Sequence, residues 1–264
     1  VAGETGSRRA DAPQRVDPDE DAVVRLSAIP LDGCATTVGR VMLEVGGERI
    51  PVEMTVPAGL VAVEDLLPIV HGLSSLFATR ATARAEAEGC EISCRAGCGA
   101  CCRQLVPVAP AEARALARLV EAMPEPRRKR VRRRFDAALD TLEPLGLMER
   151  LDRNRDDRQV IAREYFAAGV ACPFLEDEAC SIHADRPLSC REYLVTSSPD
   201  LCATLAPGIE KVVLEARPSL ALLNADLRDG WLPLVLALVQ DDQAPPSPRD
   251  RPAADILKQV IGGL

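Results

Sequence analysis

At 264 residues, with 47% hydrophobic and 27% charged content, the chain is long enough to bury one substantial core or two modest ones. A formal net charge of −8 argues against a general nucleic-acid surface, and an aromatic content of 3% leaves the core to Leu, Val, Ala and Ile. The N-terminal stretch is polar and charged, without an apolar signal segment, and the longest apolar run, Trp231–Val239, is far short of the roughly 20 residues of a membrane span. The expectation is a protein of a reducing, cytoplasmic compartment, where ten cysteines favour metal binding over a disulfide framework.

Residues 1–22 are rich in charge, Pro and Gly and read as a disordered tail. From Gly39 to Val56 the sequence predicts a β-hairpin: Val41, Leu43 and Val45 alternate, Gly46-Gly47 supplies the turn, and Ile50, Val52, Met54 and Val56 alternate again. Val63–Glu88 predicts a helix with a stripe of Leu66, Leu67, Val70, Leu73, Leu76 and Phe77, stopped by Gly89. A second helix opens near Pro110 with Leu116, Leu119, Val120 and Met123 on its buried face. Further helices are expected over Glu125–Leu142, on to about Asp152, over Gln159–Ala168, over much of Ser219–Val239 with a break at Pro233, and over Ala253–Ile261. The fold class is therefore α+β, mostly α-helical, with a small N-terminal hairpin and helices around a cysteine-rich loop region. Four segments are expected: the tail 1–22, a hairpin and helix 23–89, a cysteine cluster 90–205 and a helical C-terminal segment 206–264.

Nine of the ten cysteines fall in two blocks, Cys90, Cys94, Cys98, Cys101 and Cys102, then Cys172, Cys180, Cys190 and Cys202. Soft thiolates suit zinc and iron–sulfur centres, and Cys98-Gly-Ala-Cys101 brings two sulfurs to one metal with little loop to order. Gly97 and Gly99 allow a tight turn and leave backbone N–H groups free to donate to sulfur. Three other readings compete. The first block follows helical spacing and could pack as small apolar residues, although Gly97 and Gly99 would each cost about 1 kcal/mol inside a helix. Disulfides are a second reading. An exchangeable dithiol at Cys98 and Cys101 is a third, though no βαβ pattern surrounds it. Four thiolates around one divalent cation carry a net negative charge that Arg95, Arg103, Arg186 and Arg191, all beside cysteines, could offset.

Taken together, GCGACCRQLVPVAPAEA (Gly97–Ala113), CPFLEDEAC (Cys172–Cys180) and CSIHADRPLSCREYLV (Cys180–Val195) resemble the YkgJ-type cysteine-cluster family, a zinc- or iron-chelating domain with a CxxCxxCC pattern. The resemblance implies Cys94, Cys98, Cys101, Cys102, Cys172, Cys180, Cys190 and Cys202 as metal ligands, with zinc or iron, including an iron–sulfur cluster, as cofactor. Cys94 and Cys98 are separated by three residues where the pattern has two, which leaves Cys90 as a rival to Cys94. His183 stands where the family often shows Tyr, and its part as a ligand stays open. A related cluster occurs in flagellin lysine N-methylases, but no glycine-rich cofactor loop of a methyltransferase is present, so that activity is not carried over.

Cys34 is isolated and reads as an ordinary thiol, and His71 lies on a helix where core or surface is the expected role. The basic run Arg127–Arg134 reads as a solvated helix face without the aromatic interleaving that base stacking needs, so nucleic acid is not expected as a partner. The expected function is a metal-binding protein, with a metal ion and a protein as its partners and no membrane. The alternative is an iron–sulfur-dependent enzyme modifying a protein or peptide, for which no catalytic residue is named.

Overall fold

A computed structural model describes residues 23–147, 150, 158–226, 230–239 and 248–264. The expected tail, 1–22, lies outside the described residues, as do positions 148, 149, 151 and 152 of the helix expected to run on to Asp152, whose described start is a 3-10 turn, Glu143–Leu145. The architecture is α+β and mostly helical, with small sheets.

The hairpin forms from β2 (Thr36–Val45) and β3 (Glu48–Pro57), antiparallel with Leu43 opposite Ile50 and Val45 opposite Glu48. Gly46 and Gly47 both adopt positive φ, as the tight turn requires. The strand β1 (Val24–Ser27) adds in parallel to the other edge of β3, an element that the alternation of the hairpin does not announce. One face of the sheet buries Leu43, Val45, Ile50, Val52 and Met54 against the helix α1 (Leu67–Ala87), which contributes Leu67, Val70, Leu73 and Phe77. A tight 3-10 turn, Val63–Leu66, leads into α1.

Gly89 ends α1 in a left-handed conformation. Its N–H bonds the carbonyl of Glu86 at 3.0 Å, and the Cys90 N–H bonds that of Ala85 at 2.9 Å. Cys90 is thereby spent on closing a helix, and its side chain is exposed.

The helix α2 (Pro110–Glu121) buries Leu116 and Val120, and Met123 follows it into the core. Next, α3 (Glu125–Leu142) buries Val131, Phe135, Ala138 and Leu142. Phe135 meets the fully buried Phe174 edge to face, centroids 5.4 Å apart, so α3 anchors the second cysteine block through an aromatic contact.

Further helices run over Arg158–Ala167, Leu188–Glu192, Pro199–Thr204, Pro218–Ala225 and Ala253–Gly262. Helix over Ser219–Val239 is only partly present: Leu232–Pro233 is a short strand paired with Pro107–Val108. Pro233 lacks an N–H, and the strand pairing around it draws this segment to the chain just after the first cysteine block. No helix among the described residues is long and apolar enough to cross a membrane.

Candidate metal centre

The first block leaves α1 as an irregular stretch. The Ser93 N–H bonds the Val195 carbonyl at 3.0 Å, and Gly97 turns with φ of +84°. A single 3-10 turn, Ala100–Arg103, then carries Cys101 and Cys102. Gly99 lies against the second block: a Cβ there would stand 2.6 Å from the Glu178 carbonyl oxygen and 2.7 Å from Leu175 Cδ1.

The second block is a miniature hairpin, Leu175–Glu176 against Ala179–Cys180, turned by Asp177 and Glu178, both at positive φ. Several bonds seat it. The Cys172 N–H donates to the Cys102 carbonyl at 2.7 Å, joining the blocks directly. Arg103 forks onto the Glu178 carboxylate at 2.6 and 3.0 Å. From α3, Arg127 donates to the Ser181 carbonyl at 2.8 Å, and Arg134 donates to Glu176 at 2.9 Å. The basic run is therefore partly structural, with two of its arginines clasping the cysteine hairpin.

Cys190 sits on the helix Leu188–Glu192. The N–H of Leu188 is accepted by the buried Glu112 carboxylate from α2 at 2.7 Å. Cys202 lies buried on the helix Pro199–Thr204, which Ser198 caps by accepting the Asp200 N–H. Gln104 donates to the Cys202 carbonyl at 3.2 Å, and the Tyr193 hydroxyl is hydrogen-bonded to the Cys202 sulfur.

These elements surround a cavity of about 320 Å³ lined by Cys94, Cys98, Cys101, Cys102, Cys172, Cys180 and Cys190. Cys202 stands behind Tyr193, close enough to act electrostatically on Cys94 and Cys101. The fold thus gathers both blocks, although Arg103–Ala171 separates them in sequence. Cys34 and Cys90 are not in the lining, and His183 reaches it from an exposed 3-10 turn. His71 lines a different cavity with Glu64 and Glu112.

The electrostatics are those of crowded, buried thiols. A hydrogen bond that the Cys101 thiol donates to Cys102, followed by burial, pushes Cys101 far up, and burial pushes Cys172 up to about 12 and Cys190 well above the usual range. The neighbouring sulfurs add repulsion at Cys94, Cys172 and Cys190. Arg186 works in the opposite direction at Cys101 and Cys180. Of the four arginines beside cysteines, Arg95 and Arg186 line the cavity; Arg103 is paired with Glu178, and Arg191 donates to the carbonyls of Ala184 and Arg186. The Nε of Arg186 is buried with no partner among the described residues.

The donor set suits zinc or iron: soft and clustered, with thiols that oppose one another's ionisation. Among the described residues no group of three or more His, Cys, Asp or Glu already forms a shell able to hold a metal ion.

The sequence singled out the cysteines but not the residues that seat them. Glu112, Gln104 and Arg134 look like ordinary helix and loop polar groups, and their partners lie on other elements. Tyr193 stood in the motif CREY without a role attached to it.

No curated protein and no solved structure matches the chain. Residues 93–206, which carry all the cysteines of the cavity, match the model of the CxxCxxCC family, described as a "putative zinc- or iron-chelating domain".

Proposed function

We propose that the chain binds zinc or iron in a thiolate centre assembled from both cysteine blocks, with Cys94, Cys98, Cys101, Cys102, Cys172, Cys180, Cys190 and Cys202 as the ligand pool. One observation carries the reading: a single cavity lined by four cysteines of the first block and three of the second. The eight positions allow two four-cysteine sites or one cluster with extra ligands, and an iron–sulfur cluster fits the same donors. A bound cation supplies the positive charge that lets crowded thiols ionise. Arg95 and Arg186 offset part of the resulting negative charge. Tyr193 and Gln104 hold Cys202 in place behind the cavity wall. We assign this role to residues 90–205 of a YkgJ-type, cytoplasmic protein with a protein partner.

Metal analysis by mass spectrometry on anaerobically purified protein tests the reading. Stoichiometric zinc or iron is expected, sharply reduced in Cys172→Ser and Cys190→Ser and retained in Cys34→Ser. Broad visible absorption would identify iron–sulfur, and a colourless zinc-loaded protein would exclude it. Absence of stoichiometric metal from the wild type overturns the proposal.

A further inference from the structure

A second cavity, about 360 Å³, adjoins the cysteine cavity, and the two share Cys101, Val106, Cys190 and Tyr193 as wall. Here the same two cysteines face two spaces, and the second has its own chemistry.

That chemistry is cationic and amphiphilic. Lys211 and Arg217 line the second cavity, both exposed; among the described residues neither makes an ion pair within 4 Å of a carboxylate, although Arg217 acts electrostatically on Glu192. Elsewhere Arg84 pairs with Glu215, Arg103 with Glu178 and Arg134 with Glu176, so unpaired cations beside a cavity stand out. Lys211 is fixed by a backbone bridge to Val195, with its Nζ 5.0 Å from the centre of the Tyr193 ring. Glu192 is the one carboxylate in the lining. Its Oε1 accepts the Ser219 N–H at 2.8 Å and its Oε2 accepts the Ser219 hydroxyl at 2.5 Å. With two cations and one engaged carboxylate, the cavity keeps a net positive charge. The rest of its wall includes Leu105, Val212 and Leu220, which suit an apolar body better than a hydrated ion.

Balancing the thiolates is not the whole role of these cations, because Arg95 and Arg186 already stand in the cysteine cavity itself. Lys211 does reach Cys202 electrostatically, but Arg217 has no such part among the groups acting on the thiols.

We infer that this second cavity binds a small organic carboxylate, its anionic end between Lys211 and Arg217 and its body against the wall formed by Cys101 and Cys190. The inference deepens the proposed metal reading by giving the centre a ligand class, although the binding itself needs only the cavity.

Benzoate is a suitable probe, with benzamide as its neutral isostere and inorganic phosphate as an anion without an apolar body. Titration of the full chain as purified, by calorimetry, is expected to show saturable benzoate binding, at least ten-fold weaker binding of benzamide and of phosphate, and at least ten-fold weaker benzoate binding in the Lys211→Met/Arg217→Met double variant. Both residues are exposed, so the double variant should keep the wild-type circular dichroism. Benzoate binding that is unsaturable, matched by benzamide, or unchanged in the double variant overturns the inference. Phosphate binding as tightly as benzoate overturns the organic class. Metal content measured on the same samples keeps the two proposals separate: a metal-free wild type that still binds benzoate defeats only the metal reading, and a metal-loaded one that does not defeats only this one.

Discussion

The buried carboxylate of Glu112 accepts the N–H of Leu188 at 2.7 Å through one oxygen and the N–H of Ala109 at 2.9 Å through the other. It closes the first turn of α2 and, in the same stroke, fixes the start of the helix that carries Cys190. Glu112→Ala leaves both N–H groups buried without that acceptor, each costing about 1–3 kcal/mol. We expect a loss of about 2–4 kcal/mol at pH 5 by urea unfolding, with unchanged slope. Wild-type stability in Glu112→Ala would show that water or relaxation replaces the carboxylate.

The same residue and His71 line one cavity and pull stability in opposite directions with pH. Burial raises Glu112 to about 7 from 4.5, so its contribution is full below pH 4.5 and is lost as pH rises through 7. Burial, aided by Arg191, lowers His71 to about 4 from 6.5, so its contribution is full above pH 6.5 and is lost as pH falls through 4. Between pH 4.5 and 6.5 the two slopes oppose each other. Glu112→Gln should therefore grow more stable relative to wild type as pH rises from 4.5 to 7, and His71→Leu should do so as pH falls from 6.5 to 4. The largest slope is about 1.4 kcal/mol per pH unit. Urea unfolding across this range at constant metal content reads both, and a flat difference for either variant refutes its assignment.

Much of this arrangement was legible in the sequence where the signal is periodic or local. The hairpin alternation, the Gly46-Gly47 turn, the stop at Gly89 and the bounds of α3 all rest on neighbours in the chain. The cysteines announced themselves by number and by grouping. What the sequence withheld is non-local. The strand β1 pairs in parallel across the intervening hairpin, and Leu232–Pro233 pairs with Pro107–Val108, a partnership that two residues cannot signal. Arg127 and Arg134 read as part of a solvated basic face because their acceptors, the Ser181 carbonyl and Glu176, lie on the cysteine hairpin.

Removal of the metal should loosen the second block before anything else. Its strands are two residues long, and its helices, Leu188–Glu192 and Pro199–Thr204, span five and six residues, too short to persist alone. The β2–β3 hairpin and α1 share a large core with the C-terminal helices, to which the second block adds only Leu188 and, at its edge, Leu194. Chelation is therefore expected to abolish amide hydrogen-exchange protection across Cys172–Cys202 while leaving it in β2, β3 and α1. Uniform protection before and after chelation would mean that metal does not hold this region.

Gly99 offers the sharpest test of whether the two blocks must touch. Its φ is −97°, which any residue adopts, so backbone strain is not the issue. The obstacle is contact: a Cβ would come within 2.6 Å of the Glu178 carbonyl oxygen, a backbone atom that moves only if the Asp177–Glu178 turn moves. Gly99→Ala should therefore push the cysteine hairpin away from the turn bearing Cys101 and Cys102, at a cost of about 1–3 kcal/mol. Gly97→Ala is the control. Nothing stands within 4 Å of its Cβ, and its cost is that of φ at +84°, about 1–2 kcal/mol. The two variants should lose similar stability by urea unfolding but differ in metal affinity by competition with a chelator, Gly99→Ala falling at least ten-fold below Gly97→Ala. Equal affinities would mean that the centre tolerates separation of its halves, and the ligands would then have to be sought within one block.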